Sequence, residues 1–155
     1  MKVWTRAIIL GILVIVVGTG TLVACGKNPQ ESLRERATEW ATLLSSLPTG
    51  NEQEDVKHIE SFLEPSAART DRAQEYYTAW GNSSSLWKPV LNSIEDVSID
   101  PDGVHGTIRW TRVDEWTGAE TLGIKTGDRQ ISTEITKWKL IDKVWYRTME
   151  ASEIK

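Results

Sequence analysis

The residues of this chain that could do chemistry are few: one thiol, two imidazoles, a scatter of carboxylates and an unusual number of indoles. His58 lies between Val56 and Ile59 among Glu54, Asp55 and Glu60, the setting of a solvated helix histidine, and His105 sits just past a turn. With no His-x-His pair, no Cys-x-x-Cys and a single cysteine, no metal site is expected, and no cofactor motif occurs. Asp100-Pro101-Asp102-Gly103 lacks the further acidic ligands of a calcium loop. Ser83, Ser84 and Ser85 form a linker without a Gly-x-Ser-x-Gly elbow, and Gly118, Gly123 and Gly127 are spaced as turn residues rather than as a phosphate loop. Binding chemistry is better represented. Trp40, Trp80, Trp87, Trp110, Trp116, Trp138 and Trp145 are large rings with one donor each, suited to filling a core and to lining a pocket. Trp40, Tyr76, Tyr77, Trp80 and Trp110 are the candidates for the lining of a ligand pocket. Arg109, Arg112 and Arg147 fall on strands, where pairing with cross-strand acids competes with binding an anion or carboxylate.

The thiol has a different setting. Lys2 and Arg6 precede an apolar run from Ala7 to Val17 and a small-residue region from Gly18 to Ala24, the three-part layout of a secretory signal. The residues that close it, Leu22-Val23-Ala24-Cys25, resemble a bacterial lipobox. That resemblance implies a diacylglyceryl group on Cys25, cleavage between Ala24 and Cys25, and a palmitate-type chain on the new amine. Two or three acyl chains give stable membrane attachment where one is marginal. The implied organisation is a cleavable signal peptide over 1–24, a short lipidated tether over 25–28 and a single domain over 29–155. The domain would sit on the extracytoplasmic side of a cell membrane or outer membrane. An uncleaved membrane helix is the alternative, weakened by Gly18, Thr19, Gly20 and Thr21.

Removing residues 1–24 takes away Lys2 and Arg6 and no acid, so the formal charge moves from −4 to −6. An acidic surface of that kind argues against nucleic acid as a partner. With its one cysteine acylated the chain has no disulfide, and one apolar core must hold the domain together.

The elements follow from periodicity. Asn28-Pro29-Gln30-Glu31 reads as a capped helix start, followed by the stripe Leu33, Ala37, Trp40, Leu44 and Leu47. Asn51 and Glu54 repeat the cap ahead of Val56, Ile59, Phe62 and Leu63. A third helix is expected to carry Ala73, Tyr76, Tyr77 and Trp80 and to end at Gly81. From Leu86 the period becomes that of strands, with a strong turn at Asp100-Pro101-Asp102-Gly103, further turns at Asp114 to Ala119 and Thr126-Gly127-Asp128, and a close hairpin through Asp142-Lys143. Ile131, Thr133 and Ile135 alternate on one face while Trp138 and Leu140 have the other parity, which predicts a bulge near Thr136. The fold class is α+β: N-terminal helices on a strongly curved, cone-like antiparallel sheet of about four to five strands.

The pieces "WATLLSSLPTG", "IESFLEPSAART", "AQEYYTAWG" and "KWKLIDKVWYRT" together resemble the nuclear-transport-factor-two-like superfamily, the cone fold shared with ketosteroid isomerases and polyketide cyclases. The resemblance implies a pocket between helices and sheet and is nearly silent on function. An isomerase, cyclase or hydratase of this superfamily needs a carboxylate base and a phenol or protonated acid over an apolar pocket. Glu134 or Asp114 would be the base, and Tyr76 or Tyr77 the donor. Strand alternation with Ile131 and Ile135 places Glu134 toward solvent, and Asp114 falls beside Glu115 at a turn. No catalytic residue is therefore assigned. The sequence points to a non-catalytic, lipid-anchored envelope protein whose Trp-rich pocket takes a small apolar ligand or meets another envelope protein.

Overall fold

The computed structural model describes residues 28–121 and 123–149; the signal, the cleavage after Ala24 and the modification of Cys25 concern residues outside them. Helix α1 (Pro29–Ser46) starts where the sequence places it, with the Asn28 side chain accepting from the Gln30 amide, and buries Leu33, Ala37, Trp40 and Leu44. Helix α2 (Glu52–Glu60) is capped by Asn51, which accepts from the Glu54 amide, and buries Val56 and Ile59. Helix α3 (Arg69–Ser84) runs past Gly81, one turn beyond the expected end. The reason is local: the hydroxyls of Ser83, Ser84 and Ser85 donate back to the carbonyls of Trp80, Gly81 and Asn82, so the last turn needs no glycine cap.

Strands β1 (Trp87–Ile99), β2 (His105–Trp116), β3 (Arg129–Ile141) and β4 (Val144–Thr148) form one antiparallel sheet in sequence order. Three helices on a curved four-stranded sheet give the expected α+β architecture. The bulges lie elsewhere than expected. Pairing of β2 with β3 is continuous from His105↔Lys139 to Glu115↔Arg129, with no irregularity at Thr136, whereas β1 shifts register between Pro89 and Leu91 and between Ile94 and Asp96. Bulges on this edge strand bend it and increase the local twist, and Pro89 is tolerated because an edge strand has amides with no partner to lose.

An unbroken β3 fixes the parity of its whole length. Thr136 and Trp138 are buried, so Glu134 shares their face toward the helices, and Ile131 and Ile135 are 74% and 54% exposed on the outer face. Glu134 is thus on the inner face rather than the outer one, yet it keeps the expected exposure, its side chain being 44% exposed. Asp114 is also displaced from expectation: it lies within β2, 1% exposed, so the strand runs on to Trp116 through the turn expected from Asp114. The turn at Thr126-Gly127-Asp128 is present, with Gly127 at φ 91° and the Asp128 amide donating to Lys125 O at 2.9 Å.

Helix α1 crosses the concave face in contact with β1, β2 and β4. At Gly106 an added Cβ would stand 2.7 Å from the end of the Leu33 side chain and 3.0 Å from the Ser98 carbonyl oxygen, so a larger residue would press on both the helix and β1. After α2 the chain runs parallel to β4, with the Arg147 amide donating to Phe62 O at 2.7 Å and the Glu64 amide donating to Arg147 O at 3.1 Å. This segment covers what would be an open sheet edge. The core between the layers contains Trp40, Ile59, Ile108, Trp138 and Trp145.

The β1–β2 turn matches the sequence reading, with Gly103 at φ 71° and its amide donating to Asp100 O. Asp102 accepts from the amides of Val104 and His105 and lies 2.6 Å from His105 Nδ1. The His105 hydrogen bond, followed by the two amides, lowers its carboxyl from the ordinary 3.8 to about 2. A depressed acid contributes stability above its unfolded value, so the contribution of this turn is complete above about pH 4 and is lost as pH falls toward 2. Carboxyl NMR titration is expected to find Asp102 the lowest of the turn acids; titration near 4 would show that the turn is open.

Candidate functional site

The inner faces of β2 and β3 carry Trp110, Arg112 and Asp114 beside Glu134, Thr136 and Trp138, and β4 adds Arg147. Polar side chains can face a core only when partnered. Thr136 Oγ1 accepts from two indoles, Trp110 Nε1 at 2.8 Å and Trp138 Nε1 at 2.9 Å. Asp114 Oδ2 accepts from Arg112 Nε at 2.9 Å and Gln130 Nε2 at 3.4 Å. Arg147, 1% exposed, donates from Nη2 to Glu134 Oε1 at 3.0 Å, and its guanidinium lies 5.1 Å from the Trp40 ring and 5.3 Å from the Tyr76 ring.

The helices supply the opposite wall. Tyr76 of α3 lies 5.2 Å from Trp40 and 6.3 Å from Trp80, nearly parallel to the latter. Burial pushes the Tyr76 phenol above its ordinary value, with Arg147 opposing. Arg112 stands over the Trp80 ring at 5.4 Å.

Two clefts open between these walls. One, a crevice of about 20 Å³ with room for a single water, is lined by Trp40, Ala41, Leu44, Asn92, Trp110, Arg112, Glu134 and Thr136. The other, about 390 Å³, is lined by Tyr76, Ala79, Trp80, Ser83, Arg112, Glu134 and Arg147. Arg112 and Glu134 belong to both, so they stand between two halves of one interior.

Four of the five aromatic candidates line these clefts: Trp40 and Trp110 the first, Tyr76 and Trp80 the second. Tyr77 lines neither and turns toward α2. Burial, and then the charges of Asp55 and Glu52, push its phenol up. Of the two carboxylate candidates Asp114 is buried and Glu134 stands half exposed at the cleft, and each has an arginine on it, Asp114 a glutamine as well. His58 and His105 are exposed, and among the described residues no group of three or more His, Cys, Asp or Glu is placed to hold a metal.

Arg112 and Glu134 are what sequence reasoning failed to place at the site. The signal was present: Glu134, Thr136 and Trp138 share one parity, and the indole is a stronger marker of the inner face than the isoleucines at 131 and 135.

No family model matches the chain, and no curated protein matches it. Solved structures do. A SEC-C motif-containing protein from Psychrobacter arcticus aligns with a TM-score of 0.52 at 11% identity, over 79% of this chain and 61% of its own. The intermembrane-space region of the chloroplast protein ARC6 aligns at 0.49 and 13% identity, over 80% of this chain and 95% of that one. An NTF2-like transpeptidase from Campylobacter jejuni gives 0.44 and 14%, over 79% and 99%. At such identities the likeness extends to the fold alone, and below a TM-score of 0.5 it says nothing about what the chain does.

Proposed function

We propose that this chain is a non-catalytic binding module, held at an envelope membrane through acylated Cys25, that captures a small ligand inside its cone. The observation that carries this reading is the divided interior. Trp40, Trp110, Tyr76 and Trp80 wall it, while Arg112 and Glu134 provide a few polar groups at its centre. A concave site of about 300 to 1,000 Å³ with a small number of placed polar groups is the usual form of a small-molecule site, and the second cleft, at about 390 Å³, is of that size. The commitment of Asp114 and Glu134 to arginines favours binding over general-base chemistry.

The lipobox supports the anchor. Only Gly26, Lys27 and Asn28 separate Cys25 from Pro29, a reach of about 10 Å, so the start of α1 would lie against the headgroups. Ala41 and Leu44 of the first cleft are on the far half of α1, about 18 to 22 Å along its axis from Pro29.

Two variants test the two parts. Cys25→Ser is expected to leave an unlipidated precursor that is not cut after Ala24, read by mass spectrometry of the N-terminus; an acylated or correctly cut variant would remove the anchor. Ala79→Phe fills the second cleft, and full-length protein carrying it is expected to lose any ligand that the wild type retains on gentle extraction. Retention of the same ligand by both would place binding outside the cone, on a surface facing another envelope protein.

A further inference from the structure

The charges inside the cone select among ligands. Arg112 pairs with Asp114 and Arg147 with Glu134, and Arg112, Arg147 and Glu134 line the second cleft. The two pairs differ in how much of each partner remains available. Asp114 is 1% exposed and Arg147 1% exposed, whereas the Arg112 and Glu134 side chains are 27% and 44% exposed. Arg112 reaches Asp114 through Nε, and among the described residues its two terminal amino groups make no hydrogen bond. Glu134 engages Arg147 through Oε1, and among the described residues its second oxygen makes no hydrogen bond. The wall of the second cleft holds one more donor, the buried indole N–H of Trp80, which has no acceptor among the described residues. A buried donor of this kind calls for an explanation, and an acceptor on a ligand supplies one.

We infer that the interior takes a zwitterionic amino acid with an aromatic or large aliphatic side chain. Its carboxylate meets the terminal amino groups of Arg112, its ammonium meets Glu134, and its side chain lies among the aromatic walls. This deepens the proposed binding function and rests on it. A simple anion would satisfy Arg112 and be repelled by Glu134; a simple amine would satisfy Glu134 and be repelled by Arg112. Only a ligand with both groups closely spaced uses both exposed edges without leaving one charge desolvated and unpaired.

The test compares L-phenylalanine, phenylacetate and phenethylamine on the full-length protein in detergent, by calorimetry and by the indole N–H resonances. Phenylalanine is expected to bind and to shift the Trp80 resonance. Each single-charge analogue should bind roughly 10-fold or more weakly, since each forfeits a charge-assisted hydrogen bond. Arg112→Gln should reduce the preference for phenylalanine over phenethylamine, and Arg112→Lys should restore part of it; the analogue series holds its meaning even if a variant does not fold. Equal binding of phenylacetate and phenylalanine would overturn the inference and leave the binding module standing. Failure of all three to bind would also overturn the inference. The binding reading itself falls only if, in addition, the protein extracted from its own envelope carries no ligand.

Discussion

Trp138→Ala is expected to lose about 3 to 5 kcal/mol of stability, the usual cost of truncating a fully buried indole. Trp138 is 1% exposed at the centre of the layer between sheet and helices, and Trp145, 2% exposed on the neighbouring strand, should behave alike. The described fold has no cross-link to compensate, and domains of this size have about 5 to 15 kcal/mol in all. Ile131→Ala provides the contrast. A sequence that places the isoleucines of β3 inward predicts a core-sized loss there, whereas Ile131 is 74% exposed and its truncation should cost at most about 0.5 kcal/mol. Urea midpoints of the three variants decide the parity of β3. A large loss at Ile131 with a small one at Trp138 would turn the strand over and move Glu134 out of the cone.

The second large effect is expected at Thr136, for a reason unrelated to volume. Thr136→Val is nearly isosteric, yet it removes the one acceptor that serves the indoles of both Trp110 and Trp138. Each stranded buried donor costs about 1 to 3 kcal/mol, so the variant should lose roughly 2 to 6 kcal/mol. Thr136→Ser keeps the oxygen and removes a methyl group, and should retain most of the stability. If Val and Ser lose equally, the indoles find other acceptors and the bridging hydroxyl is incidental. An unchanged denaturant slope would confirm that the loss belongs to the folded state.

These expectations also mark where the sequence was legible. Helix starts were, because an N-cap is a local device: Asn28 and Asn51 each bond an amide two or three residues ahead, and no distant contact is needed to read that. The β1–β2 turn was legible for the same reason. The end of α3 was not, since three consecutive serines can close a helix as well as leave one, and only the finished turn shows which. The inner face of β3 was misread because hydrophobicity alone ranks isoleucine above glutamate. Glu134 is drawn inward by Arg147 of β4, and Thr136 by two indoles, one of them from β2. Partners that lie on other strands are invisible to a strand read alone. The same blindness hid the site: Arg112 and Glu134 look like ordinary strand charges until the sheet folds and they meet between two clefts.

Native mass spectrometry of the full-length protein, released from its membrane in mild detergent, tests the central claim of a membrane-held binding module most directly. The account predicts a chain beginning at Cys25 with a covalent acyl excess, carrying a small adduct that dissociates on collisional activation and is recovered chemically unchanged after prolonged incubation. A chain retaining Met1, without an adduct, would contradict both the anchor and the binding site, and conversion of the recovered ligand would show that the cone does chemistry rather than storage or presentation.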